Sequence, residues 1–188
     1  MPSQASQARV EVHAALPAMA DVETGDPRAL DLDALFKRHS KMVAAIGFRV
    51  LGRSHEVEDL VQDVFMDACR DQDKIRNPAA IQGWLAVCTI RRARRRLRTR
   101  RLKMMLGFDD AVGYEEVADP TASPARRALL SRVYQTLDGL PVEDRLAWTL
   151  RHVEGEDLET VARLCGCSLA TVKRRIARAG QVMLEKLS

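Results

Sequence analysis

The sequence predicts an all-α fold: two small helical domains joined by a flexible acidic linker. Three observations predict it. After Leu30, apolar residues recur at three- and four-residue steps through most of the chain. Aromatic residues are only 4% and β-branched runs are scarce, which argues against a sandwich or barrel. Acids, glycines and prolines crowd residues 107–124 and interrupt the helical pattern in mid-chain. A length of 188 residues suits two small units.

Residues 1–29 are polar and Ala-rich, with Pro2, Pro17, Gly25 and Pro27 and no sustained period, and read as a disordered leader. The domain at 30–106 begins with a helix marked by Leu32, Leu35, Phe36, His39, Met42, Val43, Ile46 and Val50, which Gly52 ends. Ser54 is the expected N-cap of the next helix, with Glu56, Glu58 and Asp59 in its first turn, where carboxylates suit the helix dipole. Val57, Leu60, Val61, Val64, Phe65 and Ala68 form its apolar stripe. Asp59, Gln62, Asp63 and Asp67 lie away from the stripe's centre as an acidic outer surface. Asn77-Pro78 is a helix start, with Asn as cap and Pro at the first helical position. That helix carries Ile81, Trp84, Leu85 and Cys88 inward. It then turns basic: nine cations fall between Arg91 and Lys103 with no acid among them.

The linker at 107–124 reverses the sign, with Asp109, Asp110, Glu115, Glu116 and Asp119 and no base. The second domain, 125–188, follows a helix start at Ser123-Pro124, with Leu129, Leu130, Val133 and Leu137 as its apolar positions. Gly139-Leu140-Pro141 separates it from a helix running through Leu146, Trp148 and Leu150 to Gly155. A short helix, Leu158 to Cys165, meets a last helix from Leu169 through the turn Gly166-Cys167-Ser168, with Gly as C-cap and Ser as N-cap.

Composition excludes several functions. Charged residues are 30% of the chain, the formal net charge is +4, and no window approaches a membrane span of about 18 apolar residues. The N-terminus lacks the basic and apolar regions of a signal peptide, so the expected location is cytoplasmic. Cys69, Cys88, Cys165 and Cys167 then read as reduced thiols, best used as small buried hydrophobes. Cys165 and Cys167 lack zinc-knuckle spacing, and no metal or cofactor is expected. His13, His39 and His55 stand isolated on surfaces or helix faces. No Gly-rich phosphate loop, carboxylate pair or nucleophile-base set points to an enzyme.

Two signals point to nucleic acid. The segment Leu158 to Ile176 has the helix-turn-helix pattern: two short helices, a Gly-containing turn, and small Ala162 where the helices cross. Val161, Leu164, Val172 and Ile176 fill its core, leaving Thr171, Lys173, Arg174, Ala177 and Arg178 outward on a helix suited to the major groove. The Arg run is the second signal, a positive field that a polyanion neutralises with counterion release.

With these motifs in order, the chain resembles a bacterial sigma factor of the extracytoplasmic-function (ECF) type, in the sigma-70 family, from about Leu30 to Leu187. Glu58-Asp59-Leu60-Val61-Gln62-Asp63-Val64-Phe65 is similar to the family segment that docks on the β′ clamp helices of RNA polymerase. The resemblance implies core-polymerase contacts at Asp59, Gln62, Asp63 and Phe65. Trp84-Leu85 and the Arg-rich helix resemble the part that binds and melts the −10 element, implying roles for Lys74, Arg76, Trp84, Arg91, Arg92 and Arg95. Trp84 is either a platform for an unstacked base or a core residue between helices. Leu140-Pro141, Val153-Glu154-Gly155 and the helix-turn-helix resemble the domain that reads the −35 element and touches the β flap. There the implied DNA contacts are Ser168, Thr171, Lys173, Arg174, Ala177 and Arg178. Arg91 stands where the family commonly has Asn, which shifts the expectation toward phosphate affinity. The implied partners are core polymerase, promoter DNA and an anti-sigma factor.

Overall fold

A computed structural model describes residues 31–71, 80–108 and 123–187. The leader, the Asn77-Pro78 helix start, Lys74, Arg76 and most of the acidic linker lie outside the described residues. Among the described residues there are seven α-helices and no strand. They are α1 (Leu32–Leu51), α2 (Ser54–Arg70), α3 (Ile81–Met105), α4 (Pro124–Asp138), α5 (Val142–His152), α6 (Leu158–Cys165) and α7 (Leu169–Leu187).

Local chemistry sets most of the ends. Asp31 caps α1 by accepting from the backbone N–H groups of Asp33 and Ala34 at 3.0 and 3.1 Å. Gly52 closes α1 in the left-handed conformation, φ +71°, and its N–H donates to the Phe48 carbonyl. At α2 the expected cap shifts by one residue: Arg53 holds the cap position without a side-chain cap bond, and Ser54 is already helical. Ser123 caps α4 with Pro124 behind it, as the sequence indicates. The helix expected to reach Gly155 ends at His152; the chain turns at Val153 and Glu154, and Gly155 follows with a left-handed φ of +76°.

The first three helices pack around Val43, Val50, Leu60, Val64, Leu85 and Ile90, all buried. Each such side chain contributes roughly 1.5–3 kcal/mol. Gly47 lets α1 and α2 approach closely: a Cβ there would lie 2.5 Å from a Leu60 methyl. Leu129, expected inward, is 47% exposed, and α4 instead buries Tyr134 and Leu137.

The two halves are not separate in this fold. One apolar cluster runs from Leu35 through Leu97 to Leu146, Leu150, Val161 and Val172. Polar contacts reinforce the seam between them. Tyr134 donates its hydroxyl to the Arg49 carbonyl at 3.0 Å, and burial pushes that phenol up to about 12, so it stays a donor. Arg145, on α5, is 2% exposed and donates to the Val50 and Leu51 carbonyls at 2.9 and 3.1 Å. These carbonyls end α1 and have no partner within the helix. Asp138 pairs with Arg145 and with Arg100, whose other amine donates to Glu56 at 2.7 Å.

Two substitutions test this junction by chemical denaturation. Gly52→Ala forces a left-handed φ on alanine and sets its Cβ 2.4 Å from the Tyr134 ring. It is expected to cost about 2 kcal/mol. Asp138→Ala leaves Arg145 and Arg100 buried with their shared carboxylate gone, and is expected to cost about 3 kcal/mol. Unchanged midpoints would refute the account.

Candidate polymerase and nucleic-acid interface

The candidate surface is built on three helices. On α2, Asp59 and Gln62 are exposed, as expected of an acidic-amide face. Asp63 and Asp67 are not part of a free acidic surface. Asp63 accepts from Arg96 at 3.0 Å and lies 3.7 Å from Arg92, while Asp67 takes both bonds of the Arg92 guanidinium. The reason is register: Asp63 and Asp67 are one turn apart on α2, as Arg92 and Arg96 are on α3, so the packed helices bring them together. Phe65 is 7% exposed and meets Phe36 edge-on at 4.9 Å between ring centres. It supports the face from within, while Phe36 and Met66 are each 44% exposed beside it.

The cations of α3 divide into two sets. Arg92, Arg94, Arg96, Arg98 and Arg100 are ion-paired to carboxylates of this chain. Arg101 donates to the Leu140 carbonyl. Arg91 and Arg95 are exposed, as is Lys103, and none of the three has an ion pair among the described residues. Arg95 and Lys103 line a cleft of about 540 Å³ with Arg92, Arg96, His55 and Phe108. Phe108 is 73% exposed at its edge. Trp84 is half-buried against the core, which leaves part of its ring surface open.

The helix-turn-helix forms as its sequence predicts. Asp157 caps α6 by accepting from Thr160 at 2.7 Å, and that bond holds its carboxyl below the usual range. Gly166 makes the turn at φ +64°. Ser168 accepts from the Thr171 N–H at 3.3 Å and lies 2.9 Å from its hydroxyl, fixing the first turn of α7. Val161, Leu164 and Val172 are buried beneath, with Ile176 half-buried. Lys173, Arg174, Ala177 and Arg178 are exposed, and Thr171 is half-buried. Arg174 approaches Thr171 at 3.4 Å, whereas Arg178 reaches back to Asp144 at 2.7 Å.

Cysteine placement splits. Cys88 and Cys165 are buried, and burial pushes each thiol up to about 11. Cys167 is half-buried, and Cys69 is exposed, against the expectation of burial.

The comparisons match this geometry. The Sigma-70 region 2 family model matches residues 35–103, covering α1–α3 almost entirely. The Sigma-70 region 4 model matches residues 130–180, covering the helix-turn-helix. The chain belongs to the sigma-70 family, in its ECF group. It is 29% identical over 175 residues to the ECF RNA polymerase sigma-E factor of Escherichia coli, covering 88% of this chain and 90% of that one. It is 29% identical over 171 residues to the RNA polymerase sigma-H factor of Pseudomonas aeruginosa, covering 86% and 88%. Its fold is similar to that of the sigma factor RpoE of Bartonella quintana, solved with the anti-sigma factor NepR. There the TM-score is 0.60 and the identity 24%, covering 84% of this chain and 96% of that one. CnrH, solved with the cytosolic domain of CnrY, gives a TM-score of 0.53 at 24% identity, with 82% and 85% covered. As an ECF sigma factor, the protein binds core RNA polymerase, recognises the −10 and −35 promoter elements and promotes melting and initiation. No described helix is long and apolar enough to cross a membrane.

The Arg92–Asp67 pair makes a pH prediction. The Arg92 bonds hold the Asp67 carboxyl below the usual aspartate range. A depressed folded pKa adds stability at pH values above the unfolded value, and that stability is lost as pH falls through the folded one. An NMR titration is expected to place the Asp67 carboxyl low, and Arg92→Met to move it back up. An unmoved titration would refute the coupling.

Proposed function

We propose the following division of labour for promoter recognition by this sigma factor. Asp59, Gln62 and the outer edge of Asp63 meet basic clamp helices of the core β′ subunit, with Phe65 holding the face in shape. Arg91, Arg95 and Arg92, with Lys74 and Arg76, grip the phosphates of the −10 element. The open part of Trp84 stacks on an unpaired base. Ser168, Thr171, Lys173, Arg174, Ala177 and Arg178 form the −35 reading surface, beside a contact to the β flap. Arg174 is the leading candidate for a bidentate guanine contact, because it is exposed and has no carboxylate partner among the described residues.

The observation that carries this reading is the pairing of two basic helices on one chain. One, α3, follows an acidic-amide helix, and the other, α7, is the second helix of a helix-turn-helix. A reader of two DNA elements that works only with a polymerase needs that combination. The factor performs no chemistry of its own and acts in the cytoplasm. An anti-sigma factor is a further partner, as it is for the RpoE of Bartonella quintana.

Runoff transcription with bacterial core polymerase on a pool of promoter fragments tests this. The protein is expected to produce discrete new transcripts. Arg174→Ala is expected to cut them about tenfold or more, since a bidentate contact is worth roughly 1–3 kcal/mol. Asp59→Arg is expected to abolish core binding while leaving the fold intact. Tight sequence-specific DNA binding by the free protein, with no core-dependent transcripts, would instead indicate a stand-alone regulator.

A further inference from the structure

We propose that the cleft between the start of α2 and the second half of α3 binds a nucleoside polyphosphate, with its phosphates on the α3 cations and its base against Phe108. The site stands apart from the promoter reading. Only its consequence, competition with the −10 strand for Arg92 and Arg95, rests on that reading.

Helical register builds the cationic wall. Arg92, Arg96, Thr99 and Lys103 recur at four- and three-residue steps, and Arg95 stands beside Arg96, so one face of α3 lines one side of the cleft. Arg53 and Arg100 complete a set of six lining cations, against two lining carboxylates, Glu56 and Asp63. Both carboxylates are engaged: Glu56 accepts from Arg100 at 2.7 Å and Asp63 from Arg96 at 3.0 Å. Arg95 and Lys103 are left exposed with no ion pair among the described residues. The Arg100 side chain is 6% exposed, and its Nε is buried with no hydrogen-bond partner among the described residues. Buried donors ordinarily find acceptors, so positive charge is left here that the protein's own oxygens do not use. The start of α2 adds to this field. His55 and Glu56 of its first turn line the cleft, and Arg53 at the cap position makes no side-chain cap bond. The positive end of a 17-residue helix therefore opens onto the same space.

An aromatic lip selects the class of anion. Phe108 lines the cleft and is 73% exposed. Backbone bonds rather than packing fix its place. Gly107 turns at φ +75°, its N–H donates to the Met104 carbonyl at 3.1 Å, and the Phe108 N–H donates to the Lys103 carbonyl at 3.0 Å. This pair of bonds is the glycine closure of a helix end. It pins a large apolar ring in water beside the cations. Such a ring offers a stacking face to a base, while guanidinium groups grip phosphate oxygens in two-pronged fashion. Scale agrees: the cleft of about 540 Å³ falls within the range of pockets for one small molecule, roughly 300–1,000 Å³. Inorganic phosphates use the cations alone, whereas a nucleoside polyphosphate uses the cations and the ring together. Arg92 and Arg95 serve the −10 strand in the promoter reading, so a bound nucleotide competes with that strand.

Isothermal titration calorimetry on the full chain tests the site, at about 0.15 M salt, where screening removes diffuse attraction between exposed charges. The probes are ATP, GTP and tripolyphosphate, the last having the phosphates without the base. The wild-type protein is expected to bind at least one of the two nucleotides saturably, one per chain, and more tightly than tripolyphosphate. Phe108→Ala is expected to weaken that nucleotide about fivefold or more and to leave tripolyphosphate unchanged. Lys103→Gln is expected to weaken both about threefold or more. Lys186→Gln removes an exposed cation that does not line the cleft, and is expected to change neither. Circular dichroism confirms the fold of each variant. No saturable binding of either nucleotide at millimolar concentration would overturn the proposal. So would equal losses for Lys103→Gln and Lys186→Gln, which would mean charge attraction without a site. Nucleotide affinity indifferent to Phe108→Ala would overturn it too, as an anion site that ignores the base. Runoff transcription by the wild-type protein decides the promoter reading separately, and its failure would leave the calorimetric result standing.

Discussion

The structure depends on where the last carbonyls of α1 find their donors. A helix end buried against other helices needs partners for its free C=O groups. Here two arginines supply them: Arg145 bonds Val50 and Leu51, and Arg100 bonds Leu51. Burying guanidinium groups demands counter-charge, and Asp138 and Glu56 provide it. Burial pulls the Arg145 pKa below its usual value, yet an arginine stays charged, so the carboxylates cannot be dispensed with. This cluster joins α1, α3, α4 and α5 at one point, and Gly52 makes room for Tyr134 beside it. The seam between the halves is therefore built of directional bonds as well as apolar packing.

The same constraint divides the duties of α3. A helix with nine cations and no acid repels itself unless some charges are compensated. Acids of α2, α4 and α5 compensate five of them. The compensated arginines fix how α3 lies against its neighbours. Arg91, Arg95 and Lys103 keep their charge available on the outside. Structure and electrostatic attraction thus draw on one run of residues, most of them divided between the two duties, with Arg92 bearing on both.

Much of this was legible in the sequence, and the exceptions have physical reasons. Helix ends set by local chemistry, such as Gly52, Ser123-Pro124 and Gly166, read correctly because a few adjacent residues decide them. The helix-turn-helix core read correctly for the same reason. The buried arginines escape a reading by composition, because a charged side chain is ordinarily exposed. The spacing held the signal: Arg100 continues the buried stripe of Ala93 and Leu97, and Arg145 stands among Val142, Leu146, Thr149 and Leu150 at helical steps. Asp63 and Asp67 look like an acidic outer surface in sequence because their partners lie on another helix, which no single-helix pattern reveals. The seam between the halves was invisible for that reason too. The acidic linker lies almost wholly outside the described residues, and composition does not say whether the units it joins also pack.

That last distinction bears on how a two-element reader achieves selectivity. If free α3 and α7 presented every arginine, each would bind any duplex, because phosphate attraction is blind to sequence. Pairing a fraction of those arginines internally reduces the charge that drives such indiscriminate attraction, while exposed Arg174 is left without a carboxylate partner among the described residues. On α2, Asp59 and Gln62 are exposed and carry no ion pair among the described residues. Asp63, by contrast, is held against Arg96 and lies near Arg92. Loss of that carboxylate leaves Arg96 without its ion pair and Arg92 with Asp67 alone. The charge that α3 presents on this face is thereby set by carboxylates of α2 as well as by its own arginines, and phosphate attraction depends on how much of it they leave uncompensated.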